Sequence, residues 1–399
     1  MRVEVLDHGG RVVHPETPRN GIRAGLTAPV APSTLCAVIR RFVFLFALWP
    51  LVVGAQLAEE TPVARATAAR SQVYYAADPR ALTNGFTPTP AVVQKMVDDV
   101  VMAVTKRSSV AAAWLALVKP TDVVGIKVAA APGAMSGTHP AVVRAVARGL
   151  HAAGVRPDRI IVWDRNIEDL RAAGFSERDP DFRVEGIDPS TGYDRQAMLT
   201  APVLGRLIWG DSKFGEKKGT RMEDILSRGD QLSSTSFFAT VLSQRVTKVI
   251  NLPSLCDSFM CGLNGALANM TLWNVDNWRR FIREPDHGNP YVGEIYKDAM
   301  VRDKVVLTIM DGLALQFAGG PFPNPNFTRQ NFTIYASIDP VAIDATALRL
   351  IDEYRGPNKL PPAAPVAAHV ETASAMGLGN FLEPEIDLIR VGADTPGMR

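Results

Sequence analysis

The sequence predicts an α/β fold in which a mainly parallel sheet carries helices on both faces, a Rossmann-like single domain with loop elaborations. Three observations lead there. Short β-rich apolar runs alternate along the chain with stretches of helical apolar periodicity. The segment from Thr121 to Arg165 spells strand, helix and strand, with the boundary residues each element needs. A length of 399 residues, 47% hydrophobic and 21% charged, suffices for one large globular domain.

The elements follow in order. Thr89 and Pro90 form an N-cap and a first-turn proline, and Val93, Met96, Val97, Val100, Val101 and Val104 mark one apolar face of a helix ending near Lys106. Asp122 to Val128 is a β-rich run. Thr138 or His139 then caps a helix that begins at Pro140 and stops at Gly154, and Arg159 to Trp163 is a second run. Such a crossover joins parallel strands, which puts Lys127 and Asp164 at carboxyl ends, the edge where open α/β sheets bind ligands. Asn166 to Gly229 is polar and turn-rich, a surface elaboration. Val246 to Leu252, Asp303 to Gly312 and Asn331 to Ser337 read as further strands. Asp339 caps a helix from Pro340 to about Tyr354, and Glu385 to Gly392 closes the sheet. With all of these strands parallel, Asp311 and Ser337 also lie at carboxyl ends.

The N-terminal part has a different character. Arg40 and Arg41 precede an apolar run from Phe42 to Val53, and Val53 and Ala55 stand as the small residues of a cleavage motif. The run is shorter than the roughly 20 apolar residues of a membrane span and is broken by Pro50. The expectation is a signal peptide over residues 40–55 and an exported protein, periplasmic or extracellular, with no stable membrane span after cleavage. Residues 1–39 read as a disordered leader or the product of a mis-assigned start, residues 56–73 as a flexible arm, and residues 74–399 as the α/β domain. Cys36 would leave with the leader, so Cys256 and Cys261 are the cysteines of the mature chain. Basic and acidic residues nearly balance, 43 against 41, with no long block of one sign, so no nucleic-acid partner is expected.

Six segments, in order, resemble one family. They are "VGIKV…GTHPAVVRAV" (Val124 to Val146), "IIVWDR" (Ile160 to Arg165), "VINLPSLCDS…GLNGALANM" (Val249 to Met270), "DKVVLTIMDGL…GGP" (Asp303 to Pro321), "SIDPVAIDA" (Ser337 to Ala345) and "GLG" (Gly377 to Gly379). Together they are similar to the family called domain of unknown function 362. The resemblance implies an α/β domain, in some members attached to iron–sulfur modules and often exported, and it implies little chemistry. It also marks departures. The family pattern has Asn two residues after the strand lysine, where this chain has Ala129. Where the family has Lys-Asp-His and Lys-Asn, this chain has Cys256, Asp257, Ser258 and Ala268, Asn269. A cationic pocket built from those lysines and histidine would be weakened here.

The residues themselves nominate a polar cleft. Lys127 suits an anion, or a base if burial lowers its pKa, and equally a solvated strand end. His139 could titrate near neutrality or simply cap its helix, and Asp164 could hold a ligand or open a turn. These three are the candidates for acid/base chemistry. Cys256, Asp257, Asn264, Asn269, Asp311, Gly319 and Gly320 are the candidates for ligand contact, the glycines because they permit close backbone approach or a tight turn. Arg279 or Arg280 could pair with a carboxylate or phosphate, with Trp278 tucked inward. No phosphate-loop, dinucleotide, nucleophile-elbow or zinc-helix motif is present. Two cysteines cannot hold a four-cysteine iron–sulfur cluster. A disulfide, two buried thiols, or a metal ion completed by His139, His287 or Asp257 remain open for them. Three classes of function stand together: an enzyme on a small polar or anionic substrate, a non-catalytic extracytoplasmic ligand-binding protein, and a metal-binding or redox accessory protein. The cofactor, the substrate and the oligomeric state are not specified by the residues.

Overall fold

Side chains of the central strands point alternately to two apolar layers, as a strand buried on both faces requires. On the strand Val124–Val128, Val124, Ile126 and Val128 face one layer with Trp114, Val142 and Val146. On the neighbouring strand, Ile161 and Trp163 face the other layer with Leu267, Met270 and Ile343. The computed structural model describes residues 69–188, 191–199, 208–209, 232–233 and 235–392. The leader, the signal peptide and residues 56–68 of the arm expected from the sequence lie outside these residues, and Ser71–Val73, expected in the arm, belong instead to the first strand of the sheet. Among the described residues no helix is long and apolar enough to cross a membrane.

The main sheet is built from β1 (Ser71–Ala77), β2 (Val124–Val128), β3 (Ile160–Asn166), β4 (Arg183–Asp188), β5 (Lys248–Leu252), β6 (Ser254–Ser258), β7 (Gly262–Leu263), β8 (Val305–Gln316), β9 (Thr328–Ser337) and β10 (Ile386–Arg390). Its order is β10-β1-β9-β8-β5-β2-β3-β4, with β6 alongside β8 and β7 paired to β6. The run β8-β5-β2-β3-β4 is parallel throughout. Strand β9 is antiparallel to both β8 and β1, so the sheet is mixed but mainly parallel.

This pairing corrects one expectation. Ser337 lies opposite Thr308, near the amino end of β8, because β9 runs against its neighbour. It does not join the carboxyl edge. Asp311 does lie past the end of β5, but inside a strand. Strand β8 continues to Gln316, since β6 and β9 pair with its far half.

Helices α1 (Pro90–Thr105), α2 (Val110–Leu115) and α4 (Pro140–Ala152) cover one face; α3 (Gly133–Ser136) and α5 (Ile167–Ala172) sit in loops at the carboxyl edge. The other face carries α6 (Ala266–Met270), α7 (Tyr291–Lys297), α8 (Ala299–Arg302), α9 (Pro340–Arg355) and α10 (His369–Ala375). Asp339 caps α9 as its sequence position suggests, accepting from the Val341 and Ala342 amides at 2.8 and 2.9 Å. Neither Thr138 nor His139 caps α4 through its side chain. The Thr138 hydroxyl instead accepts from the Ala129 amide and donates to the Leu252 carbonyl, tying β2 to β5.

Candidate functional site

From β2 the chain moves outward to β3 and β4, then returns to β5 on the other side of β2. The strand order therefore reverses beside β2, and a crevice at the carboxyl ends is expected there. In this protein the short helix α6 fills it. Asn269 donates to Asn251 Oδ1 at 2.8 Å and to the Lys127 carbonyl at 3.2 Å, so its carboxamide lies across the ends of β2 and β5.

What holds α6 there comes from α9. Asp344 is fully buried and accepts from the Ala266 and Leu267 amides at 2.5 and 2.9 Å, satisfying the first turn of α6. Burial pushes its carboxyl up to about 7, against the pull of those two amides. A Cβ on Gly265 would stand 2.1 Å from Asp344 Oδ1, so only glycine admits this contact. The role of Asp344 is thus to support the helix.

Lys127 is fully buried. Its ammonium donates to Asp164 Oδ1 at 2.6 Å, Asn269 Oδ1 at 2.9 Å and the Val128 carbonyl at 2.8 Å. Three hydrogens meet three acceptors. Burial drives its pKa below the ordinary lysine value, and the charge and hydrogen bond of Asp164 restore part of the loss. Asp164 is equally engaged, for it also accepts from the Arg165 amide at 2.7 Å and the Ala130 amide at 2.7 Å. This trio ties strands β2 and β3 to α6.

The other candidates form two further groups. His139 Nδ1 and its backbone amide both meet Asp311 Oδ2, at 2.9 and 2.7 Å, between the start of α4 and β8. Burial alone would lower the His139 pKa, but the charge and hydrogen bond of Asp311, with the Met135 backbone, raise it above the ordinary value. Asp257 accepts from the Gly320 amide at 2.9 Å and lies 3.7 Å from Arg355; burial still raises its carboxyl to about 6. A Cβ on Gly320 would come within 2.1 Å of the Asp257 carbonyl, and one on Gly319 within 2.3 Å of Asn324. The close approach these glycines allow is therefore to the protein's own chain.

Cys256 and Cys261 are free, buried thiols. Their hydrogens go to the Asp257 and Leu263 carbonyls, each at 3.3 Å, and burial pushes the Cys261 thiol up to about 12. Among the described residues no three side chains of His, Cys, Asp or Glu gather as a metal would require. His287 faces the Met260 carbonyl at 3.1 Å.

A cleft opens at this edge, beside the ends of β2 and β3. Its volume is about 130 Å³, and Trp273, Trp278, Phe322, Met260, Asn264 and Asp169 are among its walls. Of the candidates named from the sequence, Asp164 and Asn264 reach it; Lys127 and His139 do not line it. Trp273 donates to Asn264 Oδ1 at 2.6 Å and packs edge-on against Trp278 at 4.8 Å. The Arg165 guanidinium stacks on Trp278 at 5.0 Å. Arg280 is instead buried and donates to the Ser236 hydroxyl at 3.1 Å.

Sequence reasoning nominated acids and bases and missed these aromatic walls. A signal was present in "TLWNVDNW" (Thr271 to Trp278), which sets two tryptophans directly after the α6 segment at the sheet edge.

Fold and site together define an α/β protein whose polar residues at the carboxyl edge are internally paired beside a small aromatic cleft. The chain belongs to the family described as domain of unknown function (DUF362), whose model matches residues 123–349. The crystal structure of a Thermotoga maritima protein is similar with a TM-score of 0.34 and 10% identity, covering 70% of this chain and 61% of that one. No curated protein matches the sequence.

Proposed function

We propose that this protein binds a small molecule in the cleft walled by Trp273 and Trp278, and that Lys127 and Asp164 serve the architecture of the site in place of acid/base chemistry. The observation that carries this reading is the saturation of Lys127. With no exposed surface and all three protons donated within the protein, its ammonium has no proton to exchange with a ligand. Asp164 touches the cleft, yet both its oxygens are held by the ammonium and two amides. The aromatic walls, by contrast, are what a ligand site is made of.

Action outside the cytoplasm is part of the proposal and rests on the Arg40 to Ala55 segment.

A thermal-shift screen of small metabolites, read in parallel by tryptophan fluorescence, tests the reading. The expected result is a ligand that raises the melting temperature, quenches fluorescence less in a Trp278→Leu variant, and is recovered chemically unchanged after long incubation. Turnover of the ligand by the parent protein would overturn it in favour of an enzyme.

A further inference from the structure

The aromatic cleft continues into a second depression. Asn166 and Asp169 line both, and the second is a wider groove of about 980 Å³ along β4. Five carboxylates line that groove: Glu168, Asp169, Glu177, Glu185 and Asp188. Four of them are paired. Arg171 lies 2.6 Å from both Glu168 and Glu177, Arg245 holds Glu185, and Arg165 lies 3.5 Å from Asp188. Asp169 forms no ion pair among the described residues and accepts only from Asn166 Nδ2, at 2.9 Å. It stands where the aromatic cleft meets the acidic groove.

Two donors on the cleft walls are also unused. Asn264 is 3% exposed, and while its Oδ1 accepts from Trp273, its carboxamide nitrogen has no partner among the described residues. The Trp278 indole N–H is buried without an acceptor. That N–H is closed off from the cleft, so the Asn264 nitrogen is the donor that an acceptor on a ligand can reach. The volume of about 130 Å³ limits the apolar part of that ligand. An apolar cavity of about 150 Å³ takes one benzene ring.

We infer that the cleft receives a small aromatic amine, with one ring against Trp273 and Trp278, an oxygen acceptor on that ring toward Asn264, and a protonated nitrogen on Asp169. This deepens the binding reading and rests on it. Asp169 stands in no ion pair among the described residues, although the charge of Arg165, which also lines the cleft and stacks on Trp278, acts on it. Burial raises the pKa of Asp169, the Asn166 hydrogen bond lowers it, and the charges of Asp164 and Glu168 raise it while that of Arg165 lowers it. A cationic ligand removes the penalty that burial places on the charged form. An anionic ligand would meet Asp169 unfavourably and only Arg165 favourably, so the preference for a cation opposes the anionic substrate expected from the strand lysine.

The test compares two probes of the same ring and length on the purified chain. Tyramine carries the ammonium, and hydroxyphenylpropionate carries a carboxylate in its place. Binding is read by tryptophan quenching and calorimetry. Tyramine is expected to bind saturably and hydroxyphenylpropionate not to. In Asp169→Asn, which keeps an oxygen for Asn166, tyramine affinity should fall by at least about tenfold, as for loss of a charged hydrogen bond. Circular dichroism and melting temperature matching the parent show that this variant is folded.

Equal binding of the two probes, or unchanged affinity in Asp169→Asn, overturns the amine assignment while the cleft reading stands. Failure of both probes also overturns the amine assignment. The cleft reading falls separately, if no ligand in the screen responds to Trp278→Leu.

Discussion

Lys127 shows how a residue type that suggests chemistry can serve structure. An ammonium taken fully out of water is tolerable only with its charge matched and its hydrogens used, and Asp164, Asn269 and the Val128 carbonyl meet both needs. Removing one member leaves the other charge stranded. In Lys127→Met, Asp164 keeps two amide donors but loses its counter-charge, and Asn269 loses its bond from the ammonium while keeping the one to the residue-127 carbonyl. Unfolding by urea should show a loss of about 3–5 kcal/mol, the range for breaking a buried pair on one side. A variant as stable as the parent would mean that the pair contributes nothing.

At the scale of elements, the site depends on α6, a helix too short to hold itself and therefore dependent on outside caps. Asp344 on α9 provides them, and Gly265 leaves room for the contact. Gly265→Ala would drive a methyl group to 2.1 Å from Asp344 Oδ1 and force α6 or α9 to move. We expect a loss of about 1–3 kcal/mol, the cost of overpacking, measured as a lower urea midpoint. Gly85→Ala is the control, because its Cβ would meet nothing closer than Thr83 Oγ1 at 3.9 Å. Equal midpoints for the two variants would remove the argument that α9 positions α6. The alternation of β-rich runs with capped helices made β2, β3, β5, β8, β9 and β10 and helices α1, α4 and α9 legible beforehand, but not β4, which falls in the stretch read as a surface elaboration, or α6 itself. Strand direction was not, since β9 carries the same residue pattern whether it runs with β8 or against it.

Over the whole molecule, buried titratable groups on the α9 side of the sheet give stability two opposing dependences on pH. His369 is fully buried with neither ring nitrogen partnered, and burial lowers its pKa from 6.5 to about 4. The unfolded chain takes up that proton first, so this contribution is complete above pH 6.5 and is lost as pH falls toward 4. Asp257 and Asp344 behave oppositely. Their folded values of about 6 and about 7, against an ordinary 3.8, give contributions complete below pH 3.8 and lost as pH rises through the folded values. A tenfold difference in proton affinity between the folded and unfolded chain is worth about 1.4 kcal/mol. Denaturation midpoints measured from pH 4 to 8 separate the two. The stability of His369→Leu relative to the parent should grow as pH falls below 6.5. That of Asp344→Asn should grow as pH rises toward 7. Flat differences would refute the assignment.

The α/β class, the parallel β2–β3 unit and the cap at Asp339 could be read along the chain, because periodicity and capping depend on residues a few positions apart. So could the nomination of Lys127, Asp164, Asn269 and Asp311 as residues near one edge. Their partners could not. Asp164 meets Lys127 across 37 positions, Asp311 meets His139 across 172 and Asp344 meets Ala266 across 78. Such contacts are set by strand order and by which face each side chain takes. For the same reason the cleft was invisible: its walls come from the end of β3 and from the segments that follow β2, β3, β6, β7 and β8. Only packing decides whether a buried charge is offered to a ligand or used within the protein.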